Sequence, residues 1–330
     1  MGEHAHERLL LQRLANGPVS GDLLAREAGL TRAAVWKRID GLRDAGIAIN
    51  AAPGRGYHLA QPLDLLDAGT IRAAMPPAAL AQLASLEVAW SLDSTNSELL
   101  RRDTPQHGCS ALLAERQTRG RGRRGRAWQS PLAAHVYLSV ARQFDGGLAR
   151  LGGLSLVAGI AACEALHAIG YPQVALKWPN DLVVESRGVM RKLGGLLVEG
   201  GGEHAGAARA VAGLGLNIRM PQAMAADIDQ PWIDLAGMPP AAPHRNDVVA
   251  ALLAHMVPAL AQFDADGLPV FLPRFARLDA LRGRAVHVQE GAQAWAATAL
   301  GIADDGALRV RDATGRERCV HAGDISVRAE

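Results

Sequence analysis

The sequence predicts a multidomain α+β protein in three parts. These are a winged helix-turn-helix over residues 1–65, an α+β domain with a mixed sheet backed by helices over 66–279, and a small β-barrel over 280–330. Three observations predict it. Apolar residues at helical spacing fill the N-terminal segment and end in a short hairpin signal. Short β-rich runs mix with segregated helical ones through the middle. The C-terminal segment holds only short strands separated by Gly-containing turns. At 330 residues and 49% apolar content, the chain is long enough for more than one core.

In the first part, Leu10, Leu11 and Leu14 give an amphipathic helix that Gly17-Pro18 ends. Residues 22–28 form a second, short helix with a turn at Gly29. Thr31 caps a third, whose apolar face is Val35, Ile39 and Leu42 and whose stop is Gly46. Two helices joined by so short a turn make a helix-turn-helix. Residues 47–51, a turn at Pro53-Gly54 and residues 57–59 add a two-stranded wing with Arg55 near its tip. On the third helix Arg32, Lys37 and Arg38 reach toward phosphates or bases, and Trp36 adds contact surface. Charge does not decide the matter: eight Lys/Arg against seven Asp/Glu leave residues 1–65 at +1. A helical bundle with a solvated charged face shares this pattern.

In the second part, residues 86–90, 110–114, 136–140, 174–178, 193–199 and 210–218 read as strands. Leu99 lies on a short helix, and residues 151–169 and 248–263 form longer ones. The third part reads as strands at 285–289, 294–302, 307–311 and 316–320, turned at Asp304-Asp305-Gly306 and Ala313-Thr314-Gly315.

A net charge of +2 excludes wholesale coating of nucleic acid or membrane. Cys109, Cys163 and Cys319 are far apart and show no CxxC spacing, so neither a structural metal nor a disulfide framework is expected. MGEHAHERLL lacks the basic start and apolar run of a signal peptide, and no uninterrupted apolar stretch reads as long enough to span a bilayer. The expected setting is the cytoplasm, away from membranes.

Four features of the central part carry chemistry. Ser94-Thr95-Asn96 sets three hydrogen-bonding side chains at a helix start, where an ordinary N-cap is the simplest account. Residues 119–126, Arg-Gly-Arg-Gly-Arg-Arg-Gly-Arg, alternate guanidinium groups with glycine between Gln117 and Trp128. Such a loop suits a polyanionic small molecule or a nucleic-acid backbone. It is no dinucleotide fingerprint, for it lacks the third Gly and is too basic. Lys177-Trp178-Pro179-Asn180-Asp181 breaks a strand into a tight polar turn. Lys192, followed by Leu193-Gly194-Gly195, reads as a lone cation opening an apolar strand, a place where lysine also snorkels.

Taken in order, these motifs and Gly213-Leu214-Gly215-Leu216-Asn217 closely resemble those of biotin protein ligases. Thr31-Arg32-Ala33-Ala34-Val35-Trp36-Lys37 and Pro53-Gly54-Arg55-Gly56-Tyr57 are similar to the recognition helix and wing of the bifunctional bacterial form, which doubles as biotin operon repressor. Residues 323–328 resemble the end of its C-terminal SH3-like barrel. The resemblance implies a DNA face of Thr31, Arg32, Ala33, Trp36, Lys37 and Arg55. It implies a biotin pocket lined by Ser94, Thr95, Asn96 and Gln117. Arg121, Gly122 and Arg123 are then at the adenylate phosphate, Lys192 at the biotin carboxylate and α-phosphate, and Gly195, Gly213 and Asn217 in the ligand site. Trp232 is matched to a loop Trp that packs on adenine, with Ile228 near it, and Asp181 to an Mg²⁺ or positioning residue. Lys192, Arg121 and Arg123 are the catalytic candidates.

The implied reaction activates biotin with ATP to biotinyl-5′-AMP and passes biotin to a lysine of biotin carboxyl carrier protein. The implied partners are that carrier, operator DNA and a second copy of the chain in an adenylate-promoted dimer. Residues 185–191 depart from the family as a longer approach to Lys192, and Arg119 adds a cation to the loop. A lipoate protein ligase, with related fold and adenylation logic, and a ligand-sensing regulator without catalysis are the alternatives; an RGG-type RNA-binding protein fits the apolar content least.

Overall fold

Leucines at helical spacing assemble the N-terminal domain. The computed structural model describes residues 3–52, 54–145, 147–202, 207–226, 228–241, 243–290, 293–322 and 325–329. Helices α1 (Glu3–Ala15), α2 (Gly21–Ala28) and α3 (Arg32–Asp44) close on Leu10, Leu11, Leu14, Leu24, Val35, Ile39 and Leu42. Ser20 and Thr31 cap α2 and α3 by accepting from the N–H groups of Leu23 and Ala34. Strands β1 (Ile49–Ala52) and β2 (Gly56–Leu59) form the antiparallel wing. Of its predicted turn, Pro53 lies outside the described residues. This domain is joined to the next by more than the chain: Leu132 enters its core and donates its N–H to Ala45 O at 2.8 Å, and Trp90 Nε1 donates to Glu7 at 3.0 Å.

The central sheet comprises β3 (Leu83–Leu92), β4 (Cys109–Gln117), β5 (Val136–Phe144), β6 (Val174–Lys177), β7 (Asp181–Ser186), β8 (Val189–Gly202) and β9 (Ala208–Leu216). Their order is β3-β4-β5-β9-β8-β7-β6, with β3 and β4 parallel and the other neighbours antiparallel. The mixed sheet is therefore present, with one strand more than the sequence suggests. Pro179 reads as the end of a strand, but Lys177 pairs with Asp181 and the chain reverses into β7. The long approach to Lys192 is the β7–β8 hairpin, turned at Arg187-Gly188 with both residues at positive φ. Lys192 consequently lies inside β8 and does not open it.

Alternation along the strands sorts the two faces. Leu138, Val140, Ala212 and Leu214 point into the main core, covered by α7 (Leu154–Ala168) and α9 (Arg245–Asp266), with α4 (Ala68–Ala74) and α5 (Pro77–Leu80) against α9. Leu112, Ala141 and Val211 point the other way, where Leu99 of α6 (Thr95–Arg101) packs on them. Two short helices complete this region, α8 (Gln222–Ala225) and α10 (Leu272–Leu278). Helix α9 corrects one expectation, since by length and composition it is apolar enough to cross a membrane. Here it is a core helix whose Arg245 forms an ion pair with Glu115 at 2.7 Å, both side chains no more than 3% exposed.

The C-terminal domain is an antiparallel sheet of β10 (Ala285–Glu290), β11 (Gln293–Ile302), β12 (Leu308–Asp312), β13 (Glu317–Val320) and β14 (Ile325–Ala329), in the order β13-β12-β11-β10-β14. The last strand lies beyond the four that periodicity picked out. Gly323 and Asp324 of the C-terminal motif are outside the described residues.

Candidate functional site

The face of the sheet under α6 gathers the predicted residues, and strand register explains how. Ser139 of β5 and Leu197 of β8 both pair with Gly213 of β9, so the three stand in a row across the sheet. Asn96, in the first turn of α6, drops onto this row. Its Oδ1 accepts from Ser139 Oγ at 2.6 Å, and its Nδ2 donates to Leu197 O at 3.0 Å and to Glu199 at 2.9 Å. Gly213 is required by that approach: a Cβ there would lie 2.2 Å from Asn96 Oδ1. Thr95 Oγ1 lies 2.7 Å from Ser139 Oγ, and the Thr95 N–H donates to Gln117 Oε1 at 2.8 Å. Ser94 caps α6 through the Ser97 N–H. Ser94, Thr95, Asn96 and Ser139 are all buried. The result is a neutral, polar corner with its hydrogen bonds largely made.

A cationic rim borders it. The Arg121 guanidinium donates to both Glu199 oxygens, at 2.9 and 3.1 Å, and to Ser97 Oγ at 2.6 Å. Arg123 donates to Asn180 Oδ1 at 3.3 Å. Burial first, then the charge of Arg124, lowers the Arg123 pKa, with Asp181 opposing; a guanidinium stays charged regardless. The loop doubles back through Gly122 N–H to Arg126 O, with Arg124 in the left-handed region at φ +58°.

Lys192 sits where β8 carries a bulge: Leu182 pairs with Gly194 but Val183 with Lys192. A bulge re-aims the side chain beside it. Lys192 Nζ reaches Asp181 at 2.7 Å and lies 5.6 Å from the centre of the Trp128 ring. Trp128 lies against Gly215, where a Cβ would come within 2.6 Å of the indole, and Gly195 leaves room for the end of the Lys192 chain. Trp232 is bridged to Lys192 along the backbone, and Asn217 ties that loop down by donating from Nδ2 to Ile233 O at 3.1 Å. A cleft of about 310 Å³ runs beside Gln117, Gly120 and Trp128 to Asp44 and Ala45 at the end of α3.

The structure thus brings Thr95, Asn96, Gln117, Arg121, Arg123, Asp181, Lys192, Gly195 and Gly213 into one region. Asn217 and Trp232 flank it through the backbone, and Ile228 is half-buried. The proposed DNA residues form a separate surface. Trp36 is 56% exposed, Ala33, Lys37 and Arg55 are exposed, and Arg32 stands 3.6 Å from Asp22. Ser139, Glu199 and Trp128 belong to the site although the sequence does not single them out. Trp128 follows the arginine loop and Glu199 ends the strand expected over 193–199, whereas Ser139 is visible only through its register with Gly213.

Comparison with known proteins gives the class first. Residues 88–217 match the biotin/lipoate A/B protein ligase family, residues 6–58 an HTH domain, and residues 282–328 the biotin protein ligase C-terminal domain. The chain is 38% identical, over 97% of its length and 96% of the other, to the bifunctional ligase/repressor BirA of Escherichia coli K12. It is 33% identical to the biotin–[acetyl-CoA-carboxylase] ligase of Mycobacterium tuberculosis, over 73% of this chain and 88% of that one. In fold it is similar to the Aquifex aeolicus biotin protein ligase solved with biotin and ATP. That likeness has a TM-score of 0.62 over 75% of this chain and 100% of that one, at 24% identity. The chain belongs to the bifunctional biotin ligase/repressor family.

Proposed function

We propose that this protein activates biotin with ATP, transfers it to a lysine of biotin carboxyl carrier protein, and represses transcription in response to biotin. The observation that carries the reading is the juxtaposition of a neutral hydrogen-bonding corner with a rim of Arg121, Arg123 and Lys192 on one sheet face. A ureido ring is uncharged and needs donors and acceptors in a dry cleft. A carboxylate meeting an ATP phosphate needs fixed cations. A biotin molecule placed with its ring at Thr95, Asn96 and Gln117 extends its carboxylate toward Lys192.

In the first step a biotin carboxylate oxygen attacks the α-phosphorus, the bond to the β-phosphate oxygen breaks, and pyrophosphate leaves with the electron pair. In the second step the acceptor lysine's neutral amine attacks the acyl carbon, AMP leaves, and the nitrogen gives up one proton. Lys192 neutralises charge at the α-phosphate, and Arg121 and Arg123 hold the phosphate oxygens. Trp128 walls the cleft under the reacting carboxylate, and Trp232 meets the adenine. Among the described residues no three His, Cys, Asp or Glu side chains cluster to hold a metal. Mg²⁺ carried in on ATP needs only one or two protein carboxylates, and Asp181 would share it. When bound, that ion adds positive charge at the phosphates.

The domain limits belonging to this reading are at residues 65/66 and 279/280. The exposed face of α3, with Arg55 on the wing, is the DNA surface. Adenylate-promoted dimerisation and a cytoplasmic location complete the reading. The test is a gel shift on operator fragments with and without biotin plus ATP, run beside a pyrophosphate-release assay. Biotin-dependent turnover and a ligand-enhanced shift support it. Turnover with lipoate in place of biotin, or DNA binding indifferent to ligand, overturns it.

A further inference from the structure

A turn of the C-terminal domain touches the β6–β7 turn at the edge of the ligase sheet, 128 residues away in sequence. Trp178, only 1% exposed, donates its indole N–H to the carbonyl of Gly306 at 2.9 Å. Gly306 belongs to the turn between β11 and β12. It holds φ +84°, and a Cβ on it would come within 3.1 Å of Leu268 and 3.2 Å of Leu156. The turn is thus wedged against α7, with its carbonyl aimed at the indole. A side chain there would be strained in φ and crowded in space.

Trp178 begins the segment that supplies two groups to the rim. Asn180 accepts from Arg123, and its own Nδ2 donates to Leu196 O at 2.7 Å. Asp181 holds Lys192 at 2.7 Å. Pro179, between Trp178 and Asn180, has its carbonyl held by Ser155 Oγ at 3.3 Å. A second link runs from the same domain to the same hairpin, where Arg284 is paired with Glu185. None of these contacts reaches the neutral corner at Asn96.

We propose that Trp178 is a positioning residue for adenylation, held in place by the Gly306 carbonyl, so that the C-terminal domain sets the geometry of the Asn180–Arg123 and Asp181–Lys192 pairs. The inference rests on the ligase reading of the site. Displacing reacting groups by about an ångström from a distant point can cost on the order of 10²-fold in rate. An effect confined to the rim changes turnover without changing the hold on biotin.

Trp178→Phe keeps a ring in the core and removes only the N–H; Gly306→Ala disturbs the same contact from the other side. Each full-length variant is measured for biotin Kd by calorimetry, for kcat and KM(ATP) of pyrophosphate release, and for cooperative thermal unfolding. Biotin-dependent turnover by the wild type establishes the ligase reading first; its absence defeats that reading and this proposal with it, whereas an active wild type with unaffected variants defeats this proposal alone. The expected result is a fall in kcat of ~10- to 10²-fold in both variants, with biotin Kd within about twofold of wild type. The double variant should be no worse than the poorer single, as befits one shared contact. Should Trp178→Phe fail to fold, Gly306→Ala carries the same readouts. Unchanged kcat in a folded variant, or biotin affinity and turnover falling together, overturns the proposal.

Discussion

The corner around Asn96 and the rim around Lys192 lie on one face of one sheet, yet they are built on opposite terms. In the corner, short neutral side chains are buried and bonded to one another and to backbone carbonyls, with Glu199 at the border. In the rim, long cationic side chains stand partly in solvent, each leaning on a carboxylate or an amide: Arg121 on Glu199, Arg123 on Asn180, Lys192 on Asp181. The difference follows what each must recognise. A neutral heterocycle is read by groups whose positions are already fixed, because an unmade buried hydrogen bond costs about 1–3 kcal/mol. Phosphates arrive with their own charge and can displace the carboxylates that hold the cations beforehand. The corner is expected to govern affinity and the rim to govern rate.

The sharpest test of that division is Lys192→Ala. It removes the fixed charge proposed to meet the α-phosphate while leaving the Asn96 cluster intact. Adenylation is expected to slow by ~10²-fold or more, the scale of losing one preorganised stabiliser, with a clearly smaller loss of biotin affinity from the carboxylate contact. Pyrophosphate release under single-turnover conditions measures the rate and calorimetry the affinity. A variant that keeps its rate, or trades it for affinity, removes the distinction between the two regions.

Gly213→Ala probes the other side. The added methyl enters the space of the Asn96 amide, which must give up its bonds to Ser139, Leu197 and Glu199. Losing one or two buried hydrogen bonds corresponds to biotin binding weaker by roughly 10- to 100-fold. At saturating biotin, turnover should stay close to wild type. Unaltered biotin affinity in this variant would show that the corner is scaffolding and that recognition lies elsewhere.

How much of this was legible in the sequence differs between the two regions in the same way. The rim is written in runs of adjacent residues, so its cations could be named from motifs alone. Half of the corner is written in register. Ser139 looks like any serine in a strand until β5 and β9 are aligned, and Glu199 acquires its partners only when α6 lies across β8. The bulge that turns Lys192 toward Asp181 also leaves no local signal, because it depends on how β7 and β8 are paired. Strand β7 leaves no clear signal for a related reason: Pro179 does break a strand, but a break of three residues is also a hairpin turn. In the N-terminal domain the caps and the leucine spacing are local, and the second and third helices and the end of the first could be placed within a residue or two.

The last and smallest effect concerns the root of the strand that carries Ser139. His135 begins that stretch fully buried, its Nδ1 accepting from the Ile218 N–H at 3.1 Å while its carbonyl takes two bonds from Arg245. Burial foremost, and the charge of Arg245, push its pKa from 6.5 down to about 3, with the Ala134 carbonyl opposing. The folded protein therefore keeps this imidazole neutral well into acid, whereas the unfolded chain takes up a proton below its ordinary pKa. The sign follows: the stabilisation is fully present above pH 6.5 and is lost progressively as pH falls toward 3. Inside that window the slope approaches one proton, roughly 1.4 kcal/mol per pH unit. Urea unfolding of wild type and His135→Gln at stepped pH should show the wild type losing stability faster on acidification by about that slope. Parallel curves would mean that His135 is protonated in the fold. The neutral corner would then rest on a charged strand root, and the contrast between corner and rim would be one of side chains only.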